Sequence, residues 1–321
     1  MTADLLAVAA GLVLLFAGGE GLVRGSVALA ARLGLPKLVI GLTVVGFGTS
    51  APELLVSVQA ALSGEPEIAL GNVVGSNIAN IMLILAFACL LCPLSGWDDT
   101  TVREALVAAL AALALYGLVH GPLIGRVDGA ALLASLVVYL AATFWIARAS
   151  GAGADYEGEA EAFSAPALER RPLAAPALIL AGLIALVLGA RLLVTGAVDI
   201  ARVFGVSEAV IGLSLVAVGT SLPELATAIV AIIKRQGDVL IGNIIGSSIF
   251  NALAILGVTA TIAPIGVNPR FAAIDAPIML AASLGLAMLL IVSGRIGRTI
   301  GAAMLIFYGA YLWQLAQTGA V

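Results

Sequence analysis

Long apolar runs alternate with short polar segments along this chain, and the runs are long enough to be membrane-spanning helices. An α-helix needs about 20 apolar residues to cross a hydrocarbon core ~30 Å thick. Ten runs of this kind cover residues 4–24, 38–63, 67–91, 102–121, 128–148, 174–196, 209–234, 238–263, 273–293 and 296–317. The pattern predicts an all-α polytopic membrane protein with ten transmembrane helices.

Composition supports the membrane assignment. Of the 321 residues, 62% are hydrophobic and only 11% are charged, whereas soluble domains carry about 25% charged residues. The net charge of −4 gives no indication of nucleic acid binding. The first run lacks the basic segment that precedes a cleaved signal peptide, so we interpret it as the first span.

The positions of Lys and Arg predict the orientation in the cell membrane. With ten spans, eleven of these residues lie on one side, and only Arg126, Arg202 and Arg270 lie on the other. Because cytoplasmic loops are enriched in Lys and Arg, both termini are expected outside the cell. Residues 149–173 are acidic, rich in small residues and interrupted by prolines, and so predict a solvated cytoplasmic linker between residues 1–148 and 174–321.

The two halves are copies of one another. Displacing the chain by 171 residues, the separation of Glu53 and Glu224, aligns "VIGLTVVGFGTSAPEL" with "VIGLSLVAVGTSLPEL" and "IALGNVVGSNIANIMLIL" with "VLIGNIIGSSIFNALAIL". Between 39–85 and 210–256, 20 of 47 residues are identical. Five spans in each half would insert the copies from opposite sides, so the sequence predicts two inverted five-helix repeats.

Each copy carries a helix breaker inside an apolar run. Pro52 and Pro223 have no N–H to donate to the carbonyl four residues earlier. We expect the glycines at 46 and 48 to let the backbone unwind there. The sequence thus predicts broken second and seventh helices, whose freed carbonyls need a cavity or a ligand.

Oxygen-bearing side chains accompany the breaks. A carboxylate at membrane depth costs about 2.5 kcal/mol or more, so Glu53 and Glu224 are expected to be functional or paired. The hydroxyl and amide groups at helical spacing around them belong to Thr49, Ser50, Ser76, Asn80, Thr220, Ser221, Ser247 and Asn251. Two carboxylates balance one divalent cation, and calcium prefers six to eight oxygen ligands. Sodium can use smaller sets of the same oxygens, so the pattern favours a hard-cation site.

Other polar residues leave alternatives open. Asn72 and Asn243 could ligate an ion or cap a broken helix through hydrogen bonds, and we favour capping. His120 is the single histidine, and Cys89 with Cys92 lacks further soft ligands, so a transition-metal site is disfavoured.

The duplicated motif "GTSxPE" followed by "GNxxGSxxxN" resembles the repeats of the cation/calcium antiporter superfamily, in its sodium/calcium exchanger branch. The resemblance implies that Glu53 and Glu224 are central ligands of both calcium and sodium. It further implies sodium sites completed by the hydroxyls named above and by the carbonyls of Gly46 and Ala217. Asn80 and Asn251 would occupy corners where some relatives carry Asp, and an amide at 251 argues against potassium co-transport.

The expected function is antiport of calcium against sodium by alternating access. The resemblance implies that the first and sixth helices slide across the core. A proton-coupled antiporter of calcium or another divalent ion is the alternative, and a cation channel is less favoured. No enzymatic activity and no cofactor are expected, since the transported ions bind as substrates. The expected partners are these ions and membrane lipid, with no nucleic acid and no obligatory protein partner.

Overall fold

The computed structural model describes residues 2–33, 37–64, 66–149, 173–204 and 219–317, and this part of the chain is almost entirely helical. Seven of its helices are long and apolar enough to cross a membrane, or eight if the bent pair Gly41–Thr49 and Ala51–Leu62 counts as one span. An all-helical membrane protein is therefore confirmed. Most of the predicted linker, 150–172, lies outside the described residues. So do residues 205–218, which include the first part of the predicted seventh span, 209–234.

The α-helices are α1 Thr2–Leu33, α2 Lys37–Ile40, α3 Gly46–Thr49, α4 Ala51–Leu62, α5 Pro66–Ala79, α6 Ala86–Leu91, α7 Asp99–Leu118, α8 Arg126–Ala149, α9 Ala174–Val203, α10 Leu222–Ile233, α11 Gly237–Phe250, α12 Leu256–Ile262, α13 Ala276–Val292 and α14 Arg298–Gln317. The π-helical turns are Gly41–Val45, Asn80–Leu85, Asn251–Ile255 and Phe271–Asp275. The strands are β1 Leu94–Ser95, β2 Leu123–Ile124, β3 Ile265–Gly266 and β4 Arg295–Ile296.

Element bounds recur along the chain with the spacing of the sequence repeat. Helices α4 and α10, helices α5 and α11, and strands β1 and β3 each begin and end 171 residues apart. The π-helical turns at Asn80 and Asn251 begin with the same spacing. Corresponding residues of the two halves can therefore be compared directly in the structure.

Short strand pairs join loops that are distant in sequence. Strand β1 pairs antiparallel with β4, and β2 pairs antiparallel with β3. Nearby, the Asn268 side chain donates a hydrogen bond to Glu67, and Arg298 donates one to the carbonyl of Leu90. Each strand pair thus ties a loop of the first half to a loop of the second half.

Two long helices form the centre of the molecule. The helix Gly237–Ile262 is buried throughout its most apolar window, and Pro66–Leu91 is buried over 72% of its window. Helices α1 and α9 instead pack against each other along their length, in antiparallel orientation. Glycines spaced seven residues apart form that contact, namely Gly11, Gly18, Gly25, Gly182, Gly189 and Gly196. The buried centre is consequently made by the helices that carry the polar motifs.

Candidate cation site

A break in the helix is present next to Pro52, as the sequence predicts. The segment Gly41–Thr49 and helix α4 are inclined by 48°. Ser50 alone separates them, with φ −82° and ψ 3°, and Ser221 has the closely similar values −89° and 7° before α10. Proline stands in the first turn of both following helices, where its missing N–H costs nothing.

Both glutamates lie in the first turn of a half-helix. Glu53 is 1% exposed in α4, and Glu224 is 2% exposed in α10. The N-terminal end of a helix carries partial positive charge, which favours a carboxylate there. The Ser50 hydroxyl donates a hydrogen bond to Glu224 Oε1 at 3.3 Å. The carboxyl groups of Glu53 and Glu224 are close enough to repel each other when both are charged. The break of the first repeat therefore contacts the acid of the second.

A second polar contact between the repeats lies one residue before the break. Thr49 Oγ1 donates to Asn243 Oδ1 at 3.1 Å and lies 3.5 Å from Ser247 Oγ. Ser247 Oγ donates to the Gly46 carbonyl at 3.3 Å and lies 3.4 Å from Asn243 Oδ1. These four residues bring hydroxyl, amide and carbonyl oxygens together.

The expected unwinding at Gly46 and Gly48 is wrong, because both residues lie within helix α3. The Gly46 carbonyl accepts the N–H of Ser50 at 3.2 Å, as in a regular helix. An added Cβ at Gly46 would lie 2.9 Å from the Ser247 nitrogen, and one at Gly246 would overlap the Leu42 backbone. Gly46 and Gly246 therefore permit close approach of α3 and its preceding turn to α11. From sequence alone, a glycine required for such a contact looks the same as a glycine required for flexibility.

The remaining predicted residues lie directly before helix α10 or on the helices and π-helical turns next to the break, except where they fall outside the described part. Those in the described part that are buried are Ser76, Asn80, Ser221 and Asn251, while Thr220 is partly exposed. Ala217, predicted to offer its carbonyl, lies outside the described residues. Asn80 and Asn251 each open a π-helical turn, a local widening that is frequent at functional sites.

Several buried polar atoms around the break lack a partner among the described residues. The oxygens among them are Glu53 Oε2, Glu224 Oε2 and Asn251 Oδ1, and the amide nitrogens are Asn80 Nδ2 and Asn243 Nδ2. In the same part of the chain, no group of three or more His, Cys, Asp and Glu side chains assembles a metal-binding cluster. The buried groups around the break are thus two carboxyls with neutral oxygens, and a carboxyl buried in this way must either bind a positive charge or take up a proton.

Ser57, on helix α4, is a residue at the site that the sequence did not predict. The Asn72 amide donates to the Glu53 carbonyl at 3.0 Å and to Ser57 Oγ at 2.9 Å. Because carbonyls in the first turn of a helix are already bonded within it, this contact ties two helices together and is not the expected cap of a helix end. Ser57 was missed because its counterpart in the second repeat is Ala228, so the repeat alignment did not select it. Its position four residues after Glu53, on the same helical face, was the available signal.

The residues left aside as transition-metal candidates have ordinary environments. The His120 ring nitrogen Nδ1 lies 2.8 Å from the Tyr116 carbonyl, and the ring packs edge-on against that tyrosine. Cys89 is buried and Cys92 is exposed, and both are free thiols.

Fold and site together define an integral membrane protein with a buried, oxygen-rich polar cluster, and comparison with known proteins gives its family. The profile of the family described as sodium/calcium exchanger protein matches residues 4–145 and 174–316. The chain is 37% identical over 308 residues to the putative antiporter CaxA of Alkalimonas amylolytica, covering 95% of this chain and 96% of that protein. It is 29% identical to the sodium/calcium exchanger MaX1 of Methanosarcina acetivorans, covering 97% and 98%.

Solved structures give the same relationship. The sodium-calcium exchanger NCX_Mj, soaked without sodium and calcium, superposes with a TM-score of 0.82 at 30% identity, covering 98% of this chain and 99% of the other. The form soaked with 10 mM Na⁺ and 10 mM Sr²⁺ gives a TM-score of 0.80, also at 30% identity. This chain belongs to the sodium/calcium exchanger family, a family of transporters.

Proposed function

We propose that this protein is a secondary active antiporter that exchanges calcium for sodium by alternating access. The observation that carries the proposal is the buried pair Glu53 and Glu224, brought into one polar cluster by the Ser50 hydroxyl. Each glutamate keeps one oxygen without a partner among the described residues. Two such charges balance one divalent ion, or sodium ions bound in its place.

Competition for shared ligands supplies the coupling. Calcium and sodium both need the two carboxylates, so binding of one ion excludes the other from that position. The hydroxyls of Thr49, Ser50, Thr220 and Ser221 and the Gly46 and Ala217 carbonyls would complete the sodium sites. Ser76, Ser247, Asn80 and Asn251 would supply the remaining oxygens on the central helices. Helices α1 and α9, which lack these motifs, would move across the occupied centre to change the accessible side.

Ten spans in two inverted repeats form part of the same proposal. Strand pairing β1–β4 joins two loops that the predicted topology places on the cytoplasmic side, and β2–β3 joins two outer loops. Both pairings support that topology. A reporter active only outside the cytoplasm, fused after Val321, should be active if the termini face outward, and an inactive fusion with correct membrane insertion would contradict it.

The deciding measurement is calcium uptake into proteoliposomes under an imposed sodium gradient, compared with an imposed pH gradient. Uptake driven by sodium supports the proposal. Uptake driven only by the pH gradient would assign the two carboxyls to proton coupling instead, and uptake that needs no counter-ion would indicate a channel.

The variants Glu53→Gln and Glu224→Gln test the site itself. Each removes one of the two charges that balance calcium while preserving side-chain volume, so sodium-driven uptake should fall more than about tenfold, equivalent to about 1.4 kcal/mol. Ser283→Ala is the control, since the buried Ser283 hydroxyl donates to the Met279 carbonyl of its own helix. Full uptake by either glutamine variant would rule out the shared site.

A further inference from the structure

The backbone of Glu53 is tied to the neighbouring helix by a pair of hydrogen bonds. Asn72 Nδ2, on α5, donates to the Glu53 carbonyl at 3.0 Å and to Ser57 Oγ at 2.9 Å. Ser57 is fully buried, and its hydroxyl donates onward to the Ala69 carbonyl at 3.5 Å. An amide NH₂ group has two hydrogens, so Asn72 can make both bonds at once.

These bonds fix Glu53 without using its carboxylate. A helical carbonyl accepts one bond from the N–H four residues later and retains a second lone pair. Asn72 uses that second lone pair, while Ser57 holds the amide from the next turn of α4. We call Asn72 with Ser57 the amide clamp. The clamp fixes the position of the Glu53 backbone relative to helix α5 and leaves both carboxylate oxygens available.

The second repeat has no amide clamp. The residue corresponding to Ser57 is Ala228, which is also buried. Asn243, which corresponds to Asn72, accepts at Oδ1 from Thr49 at 3.1 Å, and its Nδ2 has no partner among the described residues. Because the helices of the two repeats have matching bounds, this difference does not arise from a shift in register.

A hydroxyl elsewhere on α10 does not replace the missing one. Thr227 lies one residue before Ala228, about 100° away around the helix. It is fully buried, and its Oγ1 has no hydrogen-bond partner in the described part of the chain. The half-helix that carries Glu224 is therefore not tied to α11 in the way that the Glu53 half-helix is tied to α5.

We propose that the amide clamp makes the two glutamates unequal: Glu53 is the fixed ligand, and Glu224 is the ligand that adjusts when one ion replaces another. This inference rests on the proposed function and deepens it. Calcium takes six to eight oxygens at 2.3–2.6 Å, whereas sodium carries one charge and uses fewer ligands from the same set. The glutamate whose backbone is held by the clamp provides a reference position. The glutamate on the half-helix without a clamp accommodates the change, and its carboxylate exchanges the Ser50 hydroxyl for the ion.

Ser57 is thus a positioning residue, and its removal should weaken binding more than turnover. In Ser57→Ala, the amide loses one of its two acceptors, and the calcium concentration for half-maximal uptake should rise about 2- to 10-fold, the effect of one buried hydrogen bond. Maximal uptake should stay within about twofold of wild type. Ser57→Thr retains the hydroxyl and should restore the wild-type half-saturation, and Ser283→Ala should leave it unchanged.

The reciprocal variant Ala228→Ser offers Asn243 the hydroxyl that it lacks. Fixing the adjustable ligand should lower the half-saturating calcium concentration and lower maximal uptake, so the two variants should move affinity in opposite directions. This variant also keeps the inference testable if Ser57→Ala fails to fold.

Calorimetric titration of calcium into the purified full chain separates the two proposals. If the wild type binds calcium but transports none against sodium, the proposed exchange fails while the clamp is still measured by affinity. If the wild type binds and exchanges normally but Ser57→Ala matches Ser283→Ala in affinity, the clamp is refuted and the exchanger is not. Equal loss of affinity in Ser57→Ala and Ala228→Ser would refute the asymmetry of Glu53 and Glu224.

Discussion

Substitution of Gly18 by alanine tests how tightly helices α1 and α9 are joined. A Cβ at Gly18 would lie 2.8 Å from the Gly182 carbonyl oxygen and 2.8 Å from the Leu186 nitrogen. Ordinary contact begins at 3.4 Å, so the shortfall is about 0.6 Å. Both opposing atoms belong to the backbone, which cannot rotate aside as a side chain can. The two helices must therefore separate locally.

The magnitude follows from packing energetics. A gap of 0.5–1 Å forfeits about a quarter to a half of each dispersion contact that it opens, and overpacking of a tight interface typically costs about 1–3 kcal/mol. Alanine also favours helix by up to ~1 kcal/mol relative to glycine. Gly285→Ala carries the same helix-forming gain, because Gly285 lies within α13 and no described atom is within 4 Å of a Cβ there. The difference between the two variants isolates the cost of the contact.

Thermal unfolding in detergent at one fixed heating rate is the assay. The unfolding midpoint of Gly18→Ala should lie roughly 2–6 °C below that of Gly285→Ala, since 1 kcal/mol corresponds to about 2–4 °C in chains of 150–250 residues and to less in longer ones. Equal midpoints, or a higher midpoint for Gly18→Ala, would refute the conclusion that glycine is required for the backbone contact between α1 and α9.

Two further contacts give measurable expectations. Lys234 donates to Glu20 at 2.9 Å between α1 and the end of α10; because both side chains are partly exposed, Lys234→Met should lower the free energy of unfolding by at most about 1 kcal/mol. That difference should shrink in 0.5 M salt, and a salt-independent loss would contradict a screened ion pair. The Tyr311 hydroxyl donates to the buried Asp275 carboxylate at 2.9 Å, so Tyr311→Phe should destabilise by about 1–3 kcal/mol in the same unfolding assay. Tyr308→Phe, which removes a hydroxyl from the same helix, is the control, and equal effects of the two variants would show that the bond to Asp275 contributes nothing.

The amino-acid sequence by itself determined that the protein lies in a membrane and that its two halves are repeats. Runs of apolar residues cannot be dissolved in water, so the membrane assignment follows from composition alone. The shared motif around Glu53 and Glu224 identified the duplication, because shared hydrophobicity does not align glycines, hydroxyls, prolines and acids. Pro52 predicted the break that the structure places at Ser50, since its missing N–H affects only the adjacent helical turn.

Only the tertiary structure decided which groups meet. A glycine at position 46 could either unwind a helix or allow another helix to pack closely against it. Only the position of Ser247 shows that it does the second. The bond from Ser50 to Glu224 joins residues 174 positions apart, and no local pattern specifies that partner. Ser57 shares a helical face with Glu53, but its role depends on the Asn72 amide, which only the packing of α5 beside α4 brings to it. A helix break depends on a few adjacent residues and can be predicted from them, whereas a contact between two helices depends on how all the helices pack together.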